Sequence, residues 1–139
     1  MNIADMDGFI TYLDTHPHVD VIQGSRFVEG GKAYNIPIQR KIILRGAKLL
    51  TRIMNGMYLT DPHNGYKCFR LEALQQIHIT TDTTAYANEL IDEYQRLGLK
   101  VVELPVHIKY SDYSLGKGQK NGNAINILKE LIYRKIFYR

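Results

Sequence analysis

Apolar residues recur at three- and four-residue intervals in several stretches of the chain, and elsewhere β-branched residues run together in short bursts. Ile3, Met6, Phe9, Ile10 and Leu13 share one side of a helix, which predicts an amphipathic helix over residues 3–12, ended by His16-Pro17-His18. Val19-Asp20-Val21-Ile22-Gln23, closing at Gly24, predicts a strand over 19–23. Residues 29–35, with Gly30-Gly31, read as a loop. Pro37 then opens a long helix over 37–54, a favoured place for proline because first-turn amides need no partner. Asn55-Gly56 is its expected stop.

The second half continues in the same manner. Residues 61–65 are dense in turn formers, 69–77 predict a short helix, and 77–84 an extended or loop stretch. A helix is expected over 85–97, ending at Gly98. Residues 100–108 predict one strand, with Pro105 pushing it towards a sheet edge or a bulge. A polar loop over 110–123 leads to a final helix from 124 to the end at 139. Strands separated by helices point to a layered α/β domain. Two clear strands and two short ones are too few for a complete doubly wound sheet, so part of the sheet is expected to be missing.

At 139 residues the chain is expected to be one domain over 1–139, and its 45% apolar and 23% charged shares are those of an ordinary globular protein. The formal charge of +4 is a mild excess that favours an anionic partner without choosing its kind. Cys68 alone forms no internal disulfide and fits a reducing compartment. The first ten residues carry Asp5 and Asp7 and lack the apolar core of a leader peptide, and no apolar run has bilayer length. The expectation is a soluble or peripheral, cytoplasmic chain.

Candidate chemistry clusters in a few places. On the long helix, Ile38, Ile42, Ile43, Ala47, Leu50, Ile53 and Met54 form an apolar stripe, while Lys41, Arg45, Lys48 and Arg52 stack on another face without a carboxylate. That face is either a solvated surface or a platform for phosphate or anionic headgroups. Arg26, after a strand end and two small residues, is placed to grip a phosphate. Asp61-Pro62-His63-Asn64-Gly65 also fits a plain turn, with His63 exposed in it. Glu89 is either a helix-surface charge or an acid facing a site. The final helix carries Ile125, Leu128, Leu131, Ile132 and Ile136, with Lys129, Arg134, Lys135 and Arg139 elsewhere. It suits either an interfacial membrane helix or one packed on the domain.

Taken in order, the motifs are more specific than any one of them. Asp20 through Gly31, Arg40-Lys41, Asp61-Pro62-His63-Asn64-Gly65-Tyr66-Lys67, the helix around Glu89, and Glu103-Leu104-Pro105-Val106 resemble the later part of a family-2, nucleotide-sugar-dependent glycosyltransferase. The kind resembled is the polyprenyl-phosphate, dolichyl-phosphate mannosyltransferase-like sugar transferase. The resemblance implies a partial GT-A (Rossmann-like) domain lacking its N-terminal nucleotide-binding half, because the family's Asp-x-Asp metal motif would lie upstream of Met1.

By that resemblance the parent enzyme transfers a sugar from a nucleotide sugar to a polyprenyl phosphate, with a divalent Mg or Mn ion that this chain alone does not hold. Arg26, Arg40 and Lys41 would bind the acceptor phosphate, with Lys109 or Lys117 as the basic residue after the Glu-x-Pro-Val strand. Ser25, Asn64 and Glu89 would line the active site, and Asp61 is the candidate catalytic residue, a base if the acceptor is a hydroxyl. Leu44 stands near the place of a family serine. The rival expectation is a truncated, non-catalytic fragment that binds an acceptor, an anionic membrane surface at the inner face, or a partner subunit. Nucleic acid is not expected, since no recognition motif accompanies the charge. A missing half would expose a sheet edge, which predicts self-association.

Overall fold

The computed structural model describes residues 4–80 and 86–110. The expected loop over 110–123, the expected helix over 124–139 and Lys117 therefore lie outside the described residues, Tyr110 excepted. The elements are α1 (Ala4–Thr15), β1 (Val21–Ser25), β2 (Lys32–Tyr34), α2 (Ile38–Asn55), β3 (Lys67–Phe69), α3 (Leu71–Leu74), α4 (Tyr86–Arg96), β4 (Val101–Pro105) and β5 (His107–Lys109).

A three-stranded sheet runs in the order β3-β1-β4, with β1 antiparallel to β3 and parallel to β4. Successive strand residues point to opposite faces, so the register sorts the side chains into rows. Ile22, with Cys68 and Val102 beside it, meets Phe9 and Leu13 of α1. Val21, with Phe69 and Val101, meets Leu90, Ile91 and Tyr94 of α4. The described fold is thus a helix on each face of a small mixed sheet. All five residues of β1 are buried, as a strand covered on both faces must be.

Several expectations need correction. The strand expected over 100–108 is two strands in two sheets. Pro105 has no N–H for the ladder, and Val106 makes the switch, donating to the Ser25 carbonyl (3.0 Å) and accepting from the Lys32 N–H (3.0 Å). Beyond it, β5 pairs in parallel with β2, inside the segment expected to be a loop. The helix expected over 69–77 shrinks to α3, because residues 67–69 pair with β1. Pro37 precedes α2 as its extended N-terminal cap, and Gly56 ends the helix in the left-handed region (φ 68°), as expected.

Part of the apolar stripe on α2 faces outward. Ile38 and Ile53 are 75% and 73% exposed, and Ile42 is exposed as well, whereas Thr51 and Asn55 are buried. The buried side of α2 meets α4, where the Asn55 amide donates to Asp92. Gly24 and Gly31 are required by close approach. A Cβ on Gly24 would stand 2.8 Å from the Val106 side chain and 2.9 Å from the Tyr66 carbonyl, and one on Gly31 2.5 Å from the Ser25 carbonyl.

Candidate functional site

One residue beyond the apolar rows, the face under α4 becomes polar. Lys67, Gln23 and Glu103 are register neighbours on β3, β1 and β4, so their side chains stand in a row on that face. Each grips the backbone of the segment 60–64. Glu103 accepts from the Thr60 N–H (2.8 Å) and the Asp61 N–H (2.9 Å). The Gln23 amide donates to the carbonyls of Asp61 (3.1 Å) and Asn64 (3.0 Å). The Lys67 ammonium donates to the Asn64 carbonyl. Burial brings the Lys67 pKa down to about 8, against the pull of Asp61.

The clamped segment delivers Asp61 to the end of β1. Asp61 is 1% exposed and Arg26 8%. The Arg26 Nε and Nη2 donate to the two carboxylate oxygens at 2.6 Å each, and the Arg26 N–H (3.1 Å) and Asn64 Nδ2 (3.2 Å) add to Oδ2. This is a two-pronged, fully hydrogen-bonded buried pair. Burial alone would lower the guanidinium pKa; Asp61 outweighs it, and the net shift is upward, so Arg26 stays charged. The Arg26 Nη1 donates to the Tyr110 phenol oxygen, and the Arg40 guanidinium carbon lies 5.1 Å from the centre of the Tyr110 ring. Asp61, Arg26, Tyr110 and Arg40 form a continuous stack.

Beside it is a groove of about 200 Å³ lined by Phe27, Thr60, Lys41, Leu44, Arg45 and Lys48. Two apolar side chains and three exposed cations share this groove. Ser25, under its rim, bonds the Thr60 hydroxyl at 2.6 Å and accepts from the Phe27 N–H at 3.1 Å. The arrangement suits a ligand that joins an anion to an apolar chain.

Comparison with known proteins agrees with that chemistry, although no family model matches the chain. The chain is 34% identical over 109 residues to the undecaprenyl-phosphate mannosyltransferase of Micrococcus luteus, over 76% of this chain and 44% of that protein. It is 29% identical over 109 residues to the polyprenol monophosphomannose synthase of Mycolicibacterium smegmatis, over 76% of this chain and 40% of that protein. An uncharacterised protein of Methanocaldococcus jannaschii shares 31% over 120 residues, 85% of this chain and 49% of its own length. The chain is a relative of the family-2 polyprenyl-phosphate sugar transferases. It spans less than half the length of each of these proteins.

Within this sugar-transferase relative, the structure brings together Ser25, Arg26, Asp61 and Asn64, with Arg40 reaching them through Tyr110 and Lys41 on the groove. Lys109 is exposed on β5, one residue before Tyr110. Glu89 is half-buried on α4, where it accepts from the Thr80 N–H (2.9 Å) and hydroxyl (2.6 Å). His63 is half-buried rather than exposed, and burial lowers its pKa more than Asn88 and Asp61 raise it. Its ring is neutral at pH 7.

The sequence motifs passed over Thr60 and Tyr110 and held no role for Gln23, Lys67 or Glu103. Gln23 had one signal, an amide inside a β-branched run; Tyr110 had none. The Mg or Mn ion is an expectation for the parent enzyme, on a motif upstream of Met1, and not for this chain. Among the described residues no three His, Cys, Asp or Glu side chains converge, and the Asp61 oxygens are taken by Arg26 and Asn64.

Proposed function

We propose that this chain is the acceptor-side part of a GT-A-type transferase that moves a sugar from a nucleotide sugar to a polyprenyl phosphate. The observation that carries the reading is the groove, where Lys41, Arg45 and Lys48 stand beside Phe27 and Leu44 at the end of β1. A phosphate monoester with a prenyl tail matches both halves of that lining. The named activities of the relatives point the same way.

A phosphate acceptor is already an anionic nucleophile, so the chain's task is to hold and orient it. Lys41, with Arg45 and Lys48, neutralises the phosphate, Arg40 on the same helix adds positive field, and Arg26, its charge already met by Asp61, holds the end of β1 beside the groove. Both oxygens of Asp61 meet Arg26, which supports a positioning role for Asp61 over that of a base. The exposed Ile38, Ile42, Leu49 and Ile53 of α2, next to its cations, would seat the helix on an anionic membrane face where such acceptors reside. No helix among the described residues is long and apolar enough to cross a membrane.

Flotation with neutral vesicles doped with undecaprenyl phosphate or with undecaprenol tests the reading. Binding to the phosphate alone, weakened in Lys41→Ala, is expected; equal binding to both would refute it. A second reading, acceptor binding without transfer, is favoured by Asp61, whose two carboxylate oxygens are held by Arg26 and Asn64. Sugar transfer by the chain alone, from any nucleotide sugar, would eliminate that second reading.

A further inference from the structure

Beside its three cations and two apolar side chains, the groove is lined by Thr60, whose hydroxyl the acceptor reading leaves without a task. Thr60 is half-buried and held from two sides. Its backbone N–H donates to the Glu103 carboxylate at 2.8 Å, and its hydroxyl oxygen lies 2.6 Å from that of Ser25.

Burial decides which of the two hydroxyls gives its proton to the other. Ser25 is 0% exposed, and its Oγ already accepts from the Phe27 N–H at 3.1 Å. Were it to accept from Thr60 as well, its own proton would be buried, and among the described residues Oγ has no other acceptor. A buried donor left unsatisfied carries the full cost of its lost hydration. Ser25 therefore donates to Thr60, and the Thr60 hydroxyl keeps its own proton to give. The bond that its oxygen accepts polarises the O–H into a better donor. Among the described residues no acceptor takes that proton, and the open space beside Thr60 is the groove. The Lys41 and Lys48 ammonium groups, on flexible stems, attract an anion without fixing its orientation. A hydroxyl held from two sides fixes it.

We propose that Thr60 is a further ligand-binding residue, whose O–H, aligned by Ser25, donates to a phosphate oxygen of the ligand in the groove. The inference deepens the acceptor reading and rests on it. The chemistry recognised is a phosphate group, and two sources would supply it: a prenyl phosphate or free inorganic phosphate.

The test is titration calorimetry of wild type, Thr60→Val, Thr60→Ser and Lys41→Ala with geranyl phosphate and, separately, inorganic phosphate. Valine keeps the shape of the side chain and deletes the hydroxyl, whereas serine keeps the hydroxyl and deletes the methyl group. Thr60→Val is expected to bind geranyl phosphate about ten-fold more weakly, near the low end for a hydrogen bond to a charged group, and Thr60→Ser to bind it as wild type does. Loss with geranyl phosphate alone identifies the prenyl source; loss with both identifies the phosphate itself as the determinant, and either supports the role of Thr60.

If Lys41→Ala weakens binding and Thr60→Val leaves it unchanged or tighter, the Thr60 inference falls and the site stands. Equal weakening in Thr60→Val and Thr60→Ser overturns it as well, because shape rather than the hydroxyl then decides. If wild type binds neither ligand, the acceptor reading falls and the inference with it. Thr60→Val leaves the Ser25 proton without its acceptor. Should that variant fail to fold, Ser25→Ala/Thr60→Val, which removes both hydroxyls, is compared with Ser25→Ala. Weaker binding in the double variant supports the contact, and equal binding overturns it.

Discussion

Asp61 and Arg26 are both out of water, and each is tolerable only because the other is there. Removing one partner strands a buried charge, whereas removing both strands none. Asp61→Ala or Arg26→Ala alone is therefore expected to cost about 3–5 kcal/mol. The double variant Arg26→Met/Asp61→Leu should cost less than either, read from urea unfolding; additive losses would contradict a coupled pair. Lys67 predicts a pH effect of definite sign. Its ammonium ionises near 8 in the fold against 10.5 in the unfolded chain, so between those values the unfolded state binds more protons. Stability should rise as pH goes from about 8 to 10, and Lys67→Met should flatten that rise. At this scale the sequence exposed Arg26, Asp61, Asn64 and Ser25 through their motifs. It concealed Tyr110, whose place depends on β5 pairing with β2, a contact between segments far apart in the chain.

Among the elements, α1, β1, α2, α4 and β4 were legible because each is long enough for its period to show. The three-residue strands β2 and β3 carry too few alternations to be read, and β5 reads only as the tail of the strand expected over 100–108; all three exist because a neighbouring strand offers its edge. For α2 the period was right and left open which way the stripe points. Periodicity finds an apolar face without saying what covers it, and here α4 takes the side with Thr51 and Asn55. The exposed stripe yields a sharp expectation. Ile42→Asp should leave the melting temperature within a degree or two, since surface changes are usually within about 0.5 kcal/mol. The same variant should lose binding to anionic vesicles at least several-fold in flotation. A large thermal loss would show instead that the stripe is packed inside the protein.

The molecule as a whole is a mixed α/β unit whose sheet ends in β3 on one side and β4 on the other among the described residues. Open edges and an apolar helix face invite pairing with another chain. Light scattering after gel filtration is expected to show self-association that grows with concentration, and a monodisperse monomer at every concentration would remove that expectation. The charge of +4 gave little away, because what matters is its placement: α2 holds a run of cations beside a groove that Asp61 and Arg26 back from behind.

The central claim is that this groove holds a prenyl phosphate. It is tested most directly by photo-crosslinking with a prenyl phosphate carrying a diazirine on its first isoprene unit, followed by mapping of the labelled residues. The account predicts labels on Phe27, Leu44 and their immediate neighbours, suppressed by unlabelled geranyl phosphate. Competed labelling concentrated anywhere else in the chain would contradict it.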